Sequence, residues 1–440
     1  MQTWQLLAGP RPLRGQPTLR GAVGMDVRIP ALALALCLAA GMPGSGARAA
    51  DPFGLWRTEV RPRAAETPPP MQFGRLTVEP SVGVALAHDS NVYAQDTGAR
   101  SDWRTTVEPE VRLSAPAGAH AVEARAQVRA VRHAGEGRLD HTDAGLDARA
   151  ALAIDRATTL TLEGEAGRRH LLPGAPDAAD AAAAASPVDR AAIGARLARR
   201  MGALAAGAGV AAGVQDHRDV ALRGGGRAEQ DYRDRTEWRA SVFASVDVTP
   251  DLTAFAEVEA DRRDHGHADP GGVRHDSRAL GLVAGMRVEV AQILSAEVRG
   301  GWLTRRFEDS ALDDVTGLDA GLAVRWAATP LTTLAMEIDR DVVEPAVPGA
   351  AAIVRTRARL GFDHELLRTL MVRPAVAYRR DAYAGLARTD EVYAAGVKLD
   401  YLVNRSLAAG VSVSHGRQAS SVPGLDHERT VAEVQGRVRF

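Results

Sequence analysis

Hydrophobic and polar side chains alternate along most of the chain between residues 76 and 440. Residues 122–129 read VEARAQVR, residues 254–261 read AFAEVEAD and residues 397–401 read VKLDY. A period of two is typical of β-strands that have one apolar and one polar face. Charged groups at alternate positions would be very costly against lipid, so they must face an interior. The pattern predicts an all-β protein, an antiparallel up-and-down transmembrane β-barrel over residues 76–440.

The connections between the alternating segments indicate the topology. About eighteen segments can be counted, with sixteen as the alternative, because alanine-rich strands leave each boundary open by two to four residues. Short connections, such as residues 116–118 and 249–251, alternate with longer polar ones, such as residues 216–230 and 380–389. An even number of strands places both chain ends on the periplasmic side, below the short turns.

Aromatic side chains provide a second test of the barrel. On the apolar face they should gather near strand ends, where amphipathic rings prefer the membrane–water interface. They form one set near the long loops (Trp103, Trp238, Trp302, Tyr378 and Tyr393) and another near the short turns (Trp326, Phe362, Tyr401 and Phe440). A soluble β-sandwich or β-helix, the alternative fold, has no reason for this placement. Phe440 ends the last strand, and we expect it to be the signal read by the barrel-assembly machinery.

The N-terminal region predicts export. Residues 29–40 (IPALALALCLAA) are apolar but too short to span a bilayer, and a small-x-small site follows at residues 47–49. We therefore predict a signal peptide over residues 25–49, and an extension over residues 1–24 that precedes the true start at Met25. A long basic leader is the alternative for residues 1–24. Residues 50–75 are rich in proline, which predicts an extended periplasmic lead-in without a packed element.

Composition and motifs argue against several functions. The net charge of −1 gives no basic excess for nucleic acid. The single cysteine lies in the signal peptide, which excludes thiolate metal sites in the mature chain. Residues 264–276 contain three histidines and three aspartates, but their spacing in a polar loop favours solvation over metal binding. The pairs at residues 140–141 and 414–415 lack a catalytic motif. We therefore expect no enzyme, no cofactor and no metal.

A short motif follows the first strand. Asp89, Asn91, Val92 and Tyr93 form an Asp-x-Asn-hydrophobic-aromatic stretch, and a Ser-Asp pair at residues 101–102 opens the next strand. Over residues 76–170 the sequence resembles the putative β-barrel porins of the second type. This resemblance implies a β-barrel in the outer membrane of a Gram-negative bacterium, in contact with outer-membrane lipid. Some members of that family are linked to exopolysaccharide production, and the family brings no catalytic residues.

The predicted lumen carries charges of both signs. A basic ladder at Arg355, Arg357 and Arg359 contrasts with an acidic one at residues 257–261. Neighbouring ladders could neutralise one another, or they could set up a transverse field across a constriction. The sequence leaves both interpretations open.

Two further features would bear on the width of the lumen. The strand over residues 203–214 has only glycine and alanine on its inward face, so the preceding alanine-rich loop, residues 177–186, could fold inward as a short helix and lie there. A disordered outer loop is the alternative. Phe243 and Phe255 are predicted to face the lumen on neighbouring strands, where they could stack on sugar rings, pack on each other or pack on the N-terminal segment.

These observations favour a porin-like channel or an export pore for a polar solute, with exopolysaccharide as one candidate cargo. The alternative is an occluded barrel that acts as a scaffold for an envelope assembly. An open conductance would favour the first interpretation.

Overall fold

The computed structural model describes residues 52–56, 68–291, 293–343, 345 and 347–440. The predicted extension, the predicted signal peptide and most of the proline-rich lead-in lie outside these residues. Within them, no helix is long and apolar enough to cross a membrane. Regular helix in this part of the chain consists of two short 3-10 turns, Gly137–Leu139 and Asp231–Arg233.

The described residues form eighteen long strands, which confirms the predicted number. Their bounds are β1 Leu76–Asp89, β2 Asp102–Ala117, β3 His120–His133, β4 His141–Ala153, β5 Thr158–Leu171, β6 Ser186–Met201, β7 Leu204–His217, β8 Arg235–Thr249, β9 Leu252–His265, β10 Ser277–Val290, β11 Leu294–Phe307, β12 Val315–Thr329, β13 Thr332–Val343, β14 Ala352–Leu367, β15 Leu370–Ala384, β16 Arg388–Leu402, β17 Leu407–Ser420 and β18 His427–Arg439. Short strands also occur at Met71–Phe73, Val220–Ala221 and Arg227–Ala228.

Every long strand pairs antiparallel with its neighbour in sequence, and the sheet closes on itself. The closing contact joins β1 to β18, with a register from Ser81↔Arg439 to Asp89↔Val431. The backbone N–H of Phe440 extends this seam by donating to the Pro80 carbonyl at 3.1 Å. Closure leaves no open sheet edge, which is what a β-structure needs in order to cross a bilayer. The chain is thus a closed, up-and-down antiparallel β-barrel.

Burial in the barrel is the reverse of that in a soluble protein. Along residues 102–111 of β2, buried and exposed side chains alternate strictly. The buried positions hold charged and polar groups such as Arg104, Glu108 and Glu110, while Trp103 and Val107 are exposed. Apolar side chains therefore face lipid and polar ones face the lumen, as the alternation predicts.

The connections alternate in length, also as predicted. The turns at one end of the barrel have two to four residues. Most connections at the other end are much longer, and the longest spans residues 218–234. The prediction of a long loop at residues 380–389 is wrong, because β15 and β16 continue into this range and only residues 385–387 connect them. Gly385, at φ +85°, allows this tight turn.

The aromatic side chains of both predicted sets lie on the outward face. Trp103, Trp238 and Trp302 are about half exposed in the half of the barrel that carries the long loops. Trp326, Tyr401 and Phe440 are similarly exposed toward the short turns. These are the positions of the two interfacial girdles of an outer-membrane barrel.

Candidate lumen and its occupants

Charged side chains on the inner wall pair with charges on nearby strands. Arg305 of β11 reaches Asp261 of β9 at 2.8 and 2.9 Å, and the residue between them on β10 is Ala279. Arg299 of β11 likewise reaches Asp339 of β13 across Gly321. A Cβ at Gly321 would overlap the Arg299 side chain. Small residues on the intervening strands thus let long arginines lie flat along the wall.

The predicted basic ladder of β14 follows the same rule. Arg355 binds both carboxylate oxygens of Asp381 at 2.6 and 3.0 Å. Arg357 donates to Asp339 at 2.6 Å and to Asp341 at 3.0 Å. Arg359 also reaches an acidic neighbour, because it lies 3.9 Å from Glu337. Of the two interpretations of the mixed charges, local neutralisation between neighbouring ladders agrees with these contacts.

Phe243 and Phe255 both face the lumen, but each packs on a glycine of an adjacent strand. Phe243 lies over Gly207 of β7, and Phe255 lies over Gly285 of β10. The guanidinium carbon of Arg196 is 3.7 Å from the centre of the Phe243 ring, and Phe243 is only 6% exposed. The face of Phe243 is therefore covered closely by a cation, whereas Phe255 is partly exposed and the Arg287 guanidinium carbon lies 5.6 Å from its ring centre.

Residues 52–56 lie inside the barrel, on the inward face of β15, β16 and β17. Leu55 is 1% exposed and packs with Ala375 and Ala394, and Phe53 and Trp56 join this cluster. The Trp56 Nε1–H donates to the Arg373 carbonyl at 3.0 Å. The Leu55 carbonyl accepts a hydrogen bond from Arg359 at 3.1 Å. The expectation that the lead-in contains no packed element is therefore wrong for these five residues.

Two glycines form the seat for this N-terminal segment. A Cβ at Gly416 would overlap the Phe53 ring, and a Cβ at Gly396 would lie 2.8 Å from the Trp56 ring. Ala394 is directly opposite Gly416, and Ala375 is directly opposite Gly396. This part of the wall is therefore a shallow notch of small residues near mid-height of the barrel, and the aromatic rings occupy it.

The outer loop between β5 and β6, residues 172–185, reaches across the mouth of the barrel. The Asp180 carboxylate pairs with Arg388 at the start of β16, at 2.7 Å, on the far side of the barrel. Asp177 pairs with Arg169 at 3.2 Å. Burial acts to raise the pKa of Asp177, but the charges of Arg169, Arg233 and Arg355 outweigh it, so the pKa is lowered from its ordinary value.

This crossing loop differs from the predicted one in two ways. It consists of turns, without the expected short helix. It packs on the outer ends of β5 and β6 through Ala178, Leu171 and Val188, and not on the small-residue wall of β7. Part of that wall, at Ala211 and Gly213, instead borders a small cleft that is also lined by Arg190 and Glu237.

The residues of the Asp-x-Asn motif form a clasp at the outer end of the closing seam. Asp89 is fully buried and binds Arg104 of β2 at 2.8 Å and Arg429 of β18 at 3.0 Å. Asn91 donates to the carbonyls of Gln95 at 2.8 Å and Glu428 at 3.0 Å. Their contacts are with the chain itself, so the motif closes the barrel and orders its first loop.

Val92 and Tyr93 complete this clasp. They form a buried cluster with Leu139 of the next loop. The Tyr93 hydroxyl donates to Glu136 at 2.8 Å. Burial, together with this carboxylate, raises the pKa of Tyr93 to about 12.

The candidate catalytic and metal groups do not assemble into sites. Ser414 faces the lumen and His415 faces outward, where it contacts Thr430 at 2.9 Å. The His141 ring contacts the Leu139 carbonyl and not its neighbour Asp140. Among the residues that the structure describes, no three histidine, cysteine or acidic side chains are placed to hold a metal ion.

Several residues of this lumen were not anticipated. Phe53, Leu55 and Trp56 stood in a proline-rich stretch, and their apolar character within DPFGLW was the one available signal. The Asp180–Arg388 pair joins residues more than two hundred positions apart, and no sequence pattern marks it.

Comparison with known proteins identifies a family. The family model described as putative beta-barrel porin 2 matches residues 68–440. No curated protein matches the chain. Among solved structures, the outer-membrane protein OpdK from Pseudomonas aeruginosa is 11% identical, with a TM-score of 0.43, covering 82% of this chain and 99% of its own. OccAB4 from Acinetobacter baumannii is 10% identical, with a TM-score of 0.44, covering 82% and 98%. Neither similarity carries an inference about cargo.

Proposed function

We propose that this chain, which belongs to the putative beta-barrel porin 2 family, carries a neutral, polyhydroxylated solute through its lumen, with an exported exopolysaccharide as the specific candidate. The chain is a porin-like β-barrel of the outer membrane. Its cargo is inferred from the chemistry of the inner wall.

Paired charges on the wall support a neutral cargo. Arg305, Arg299 and Arg355 each bind a carboxylate on a nearby strand. Such a wall offers many hydrogen-bond donors and acceptors to a hydrated solute, and the local pairing of its charges weakens the field of either sign that would select an ion. Sugar hydroxyls can exchange hydrogen bonds with such a surface as readily as with water. This local neutralisation is the observation on which the proposal rests.

Aromatic rings in the lumen give weaker support. Phe255 is partly exposed on the inward face and could contact a sugar ring. Phe243 could do so only if Arg196 moved aside, because that guanidinium covers its ring. Phe255 is therefore the better candidate for a stacking contact.

The alternative function, an occluded scaffold for an envelope assembly, is favoured by a different observation. The N-terminal segment, residues 52–56, occupies the lumen near mid-height, and residues 172–185 cross its mouth. Both segments narrow the path that a polymer would take through the lumen. If they are fixed, the outer loops would be the working surface of the protein.

Single-channel recording in a planar bilayer tests these functions. We expect a steady current that neutral oligosaccharides block, with residence times that grow with chain length. A current that no sugar affects would exclude the saccharide pathway. No current from a folded, heat-modifiable barrel would favour the scaffold.

The aromatic contact is tested in the same recordings. The double variant Phe243→Ala, Phe255→Ala should shorten sugar residence without abolishing the current, whereas Phe362→Ala, at a lipid-facing aromatic, is the matched control. Equal residence times in both variants and the parent would remove the aromatic rings from the pathway.

A further inference from the structure

Three arginines stand side by side on the lipid-facing surface of the barrel. Arg262 of β9 is directly opposite Arg278 of β10, which in turn is directly opposite Arg306 of β11. Their side chains are 51%, 66% and 79% exposed. All three lie within a few residues of the strand end that leads to a long loop. This end of the barrel is on the outer side of the membrane. We call this set the arginine row.

Like charges directly opposite each other in a sheet destabilise it. Each arginine has an acidic neighbour at the outer end of the barrel. The contacts are Arg262 with Asp264 at 2.7 Å, Arg278 with Glu308 at 3.1 Å and Arg306 with Asp314 at 4.0 Å. Asp264, near the end of β9, and Glu308, just past the end of β11, lie farther toward the loops than the row itself. The row is therefore the cationic layer nearest the hydrocarbon, beneath a mixed-charge edge.

An apolar wall lies directly below the arginine row on the same strands. Leu280 and Leu282 of β10 are 59% and 53% exposed, and Trp302 of β11, opposite Leu282, is 56% exposed. Trp238 of β8 is directly opposite Arg262 and marks one end of the row. A molecule bound here would meet guanidinium groups above and an apolar surface below.

The opposite end of these strands shows that the row belongs to one leaflet. The outward positions near the short turns are Leu252 on β9, Val290 on β10 and Leu294 on β11, and all are apolar. Exposed outward arginines recur at the outer ends of other strands, at Arg132, Arg168, Arg340, Arg380 and Arg417. At the inner ends, Arg199 of β6 is an outward arginine, paired with Asp155.

We propose that the arginine row and the apolar wall beneath it form a binding site for a phosphorylated glycolipid of the outer leaflet. The planar guanidinium fork matches phosphate oxygens with two parallel hydrogen bonds, and three forks in one row can share one or two phosphates. A bound phosphate also relieves the repulsion between neighbouring arginines. The acyl chains lie along Leu280, Leu282 and Trp302. A basic cluster at a membrane surface attracts anionic headgroups in general, and the apolar wall restricts this site to a lipid.

The test measures binding of labelled lipid A to the full barrel in detergent. The triple variant Arg262→Gln, Arg278→Gln, Arg306→Gln should bind about tenfold more weakly or worse, because it loses the charge-assisted contacts. The matched control is Arg199→Gln, which removes an outward arginine at the inner end and should keep the parent affinity. Parent affinity in the triple variant would overturn the proposal.

Three competitors separate the sources of the anion. Lipid A from which the phosphates have been removed should compete poorly, and so should inorganic phosphate. Phosphatidylglycerol should compete less well than lipid A. Full displacement by inorganic phosphate would show a site for free anions only, and equal competition by phosphatidylglycerol would show a general anionic-lipid surface. Either result would overturn the glycolipid assignment.

A single variant keeps the proposal testable if the triple variant does not fold. Arg278→Gln removes the middle charge, so in lipid-free detergent the barrel should be at least as heat-stable as the parent. Adding lipid A should then raise its melting temperature less than it raises that of the parent. An equal gain in both proteins would contradict the proposal.

Discussion

Asp89, the last residue of β1, accepts hydrogen bonds from the Nε–H of Arg429 at 3.0 Å to each carboxylate oxygen, although 340 residues separate them. Arg104 of β2 binds the same carboxylate at 2.8 Å. Asp89, Arg429 and Arg104 are 0%, 7% and 2% exposed, respectively. β1 and β18 are the two adjacent strands that no turn connects. The Asp89 carboxylate therefore links the first and last strands of the barrel at the closing seam.

The variant Asp89→Asn should weaken this closure. It leaves two buried guanidinium groups beside a neutral amide, and breaking a buried ion pair on one side typically costs about 3–5 kcal/mol. We expect a lower urea midpoint for loss of the heat-modifiable band, with the slope unchanged. The control is Asp189→Asn, which removes the partner of Arg168 on the exposed outer face and should change the midpoint little. Equal shifts in the two variants would contradict a special role for the seam.

The Tyr93 hydroxyl predicts a pH dependence at the alkaline end. Its folded pKa of about 12 lies above the ordinary value of 10, so the neutral form stabilises the folded loop. This stabilisation is complete below pH 10 and is lost as the pH rises from 10 to about 12. The difference in tyrosinate absorbance between the parent and Tyr93→Phe should therefore show a midpoint near 12 in the folded barrel and near 10 in urea. A folded midpoint near 10 would show that the hydroxyl is not held as described.

The sequence was sufficient to predict the barrel because the bilayer imposes parity on every strand. Glu108 and Val107 are neighbours, yet one must face water and the other lipid, and this requirement repeats through all eighteen strands. Parity does not predict the structure of residues that lie beyond the outer surface of the membrane. At residues 380–389 there is no lipid to enforce alternation, and charged residues that suggested a loop continue as strand.

The lumen was less predictable because its occupants depend on contacts between distant residues. Trp56 binds the Arg373 carbonyl 317 positions away, and nothing local to either residue marks this contact. Phe243 was correctly predicted to face inward, but its cover by Arg196 depends on the register of β6, β7 and β8. Inward and outward faces follow from the sequence alone, whereas the side chains that fill a wide lumen follow from register and loop packing.

Asp180→Asn should release the outer loop from the far wall. The substitution removes the carboxylate that Arg388 binds at 2.7 Å, while Arg388 keeps Asp390 as a partner, so the barrel itself should remain folded. We expect a higher single-channel conductance with more frequent fluctuations. Asp426→Asn is the control, because Asp426 accepts a hydrogen bond from the backbone N–H of Ser420, at the end of the adjoining strand β17. An unchanged current in Asp180→Asn would show that the loop does not limit the pore.

Gly416→Ala should displace the N-terminal segment from the lumen. The added methyl would overlap the Phe53 ring, and the nearest atoms to that position all belong to Phe53, so the segment can move while the wall stays in place. Conductance should rise in Gly416→Ala and also in Phe53→Ala, and the double variant should add little to either because both remove the same contact. Gly436→Ala is the control, since a Cβ there meets nothing within 4 Å. Additive increases in the double variant would mean that Gly416 and Phe53 act separately, and no increase in any variant would mean that residues 52–56 do not obstruct the pore.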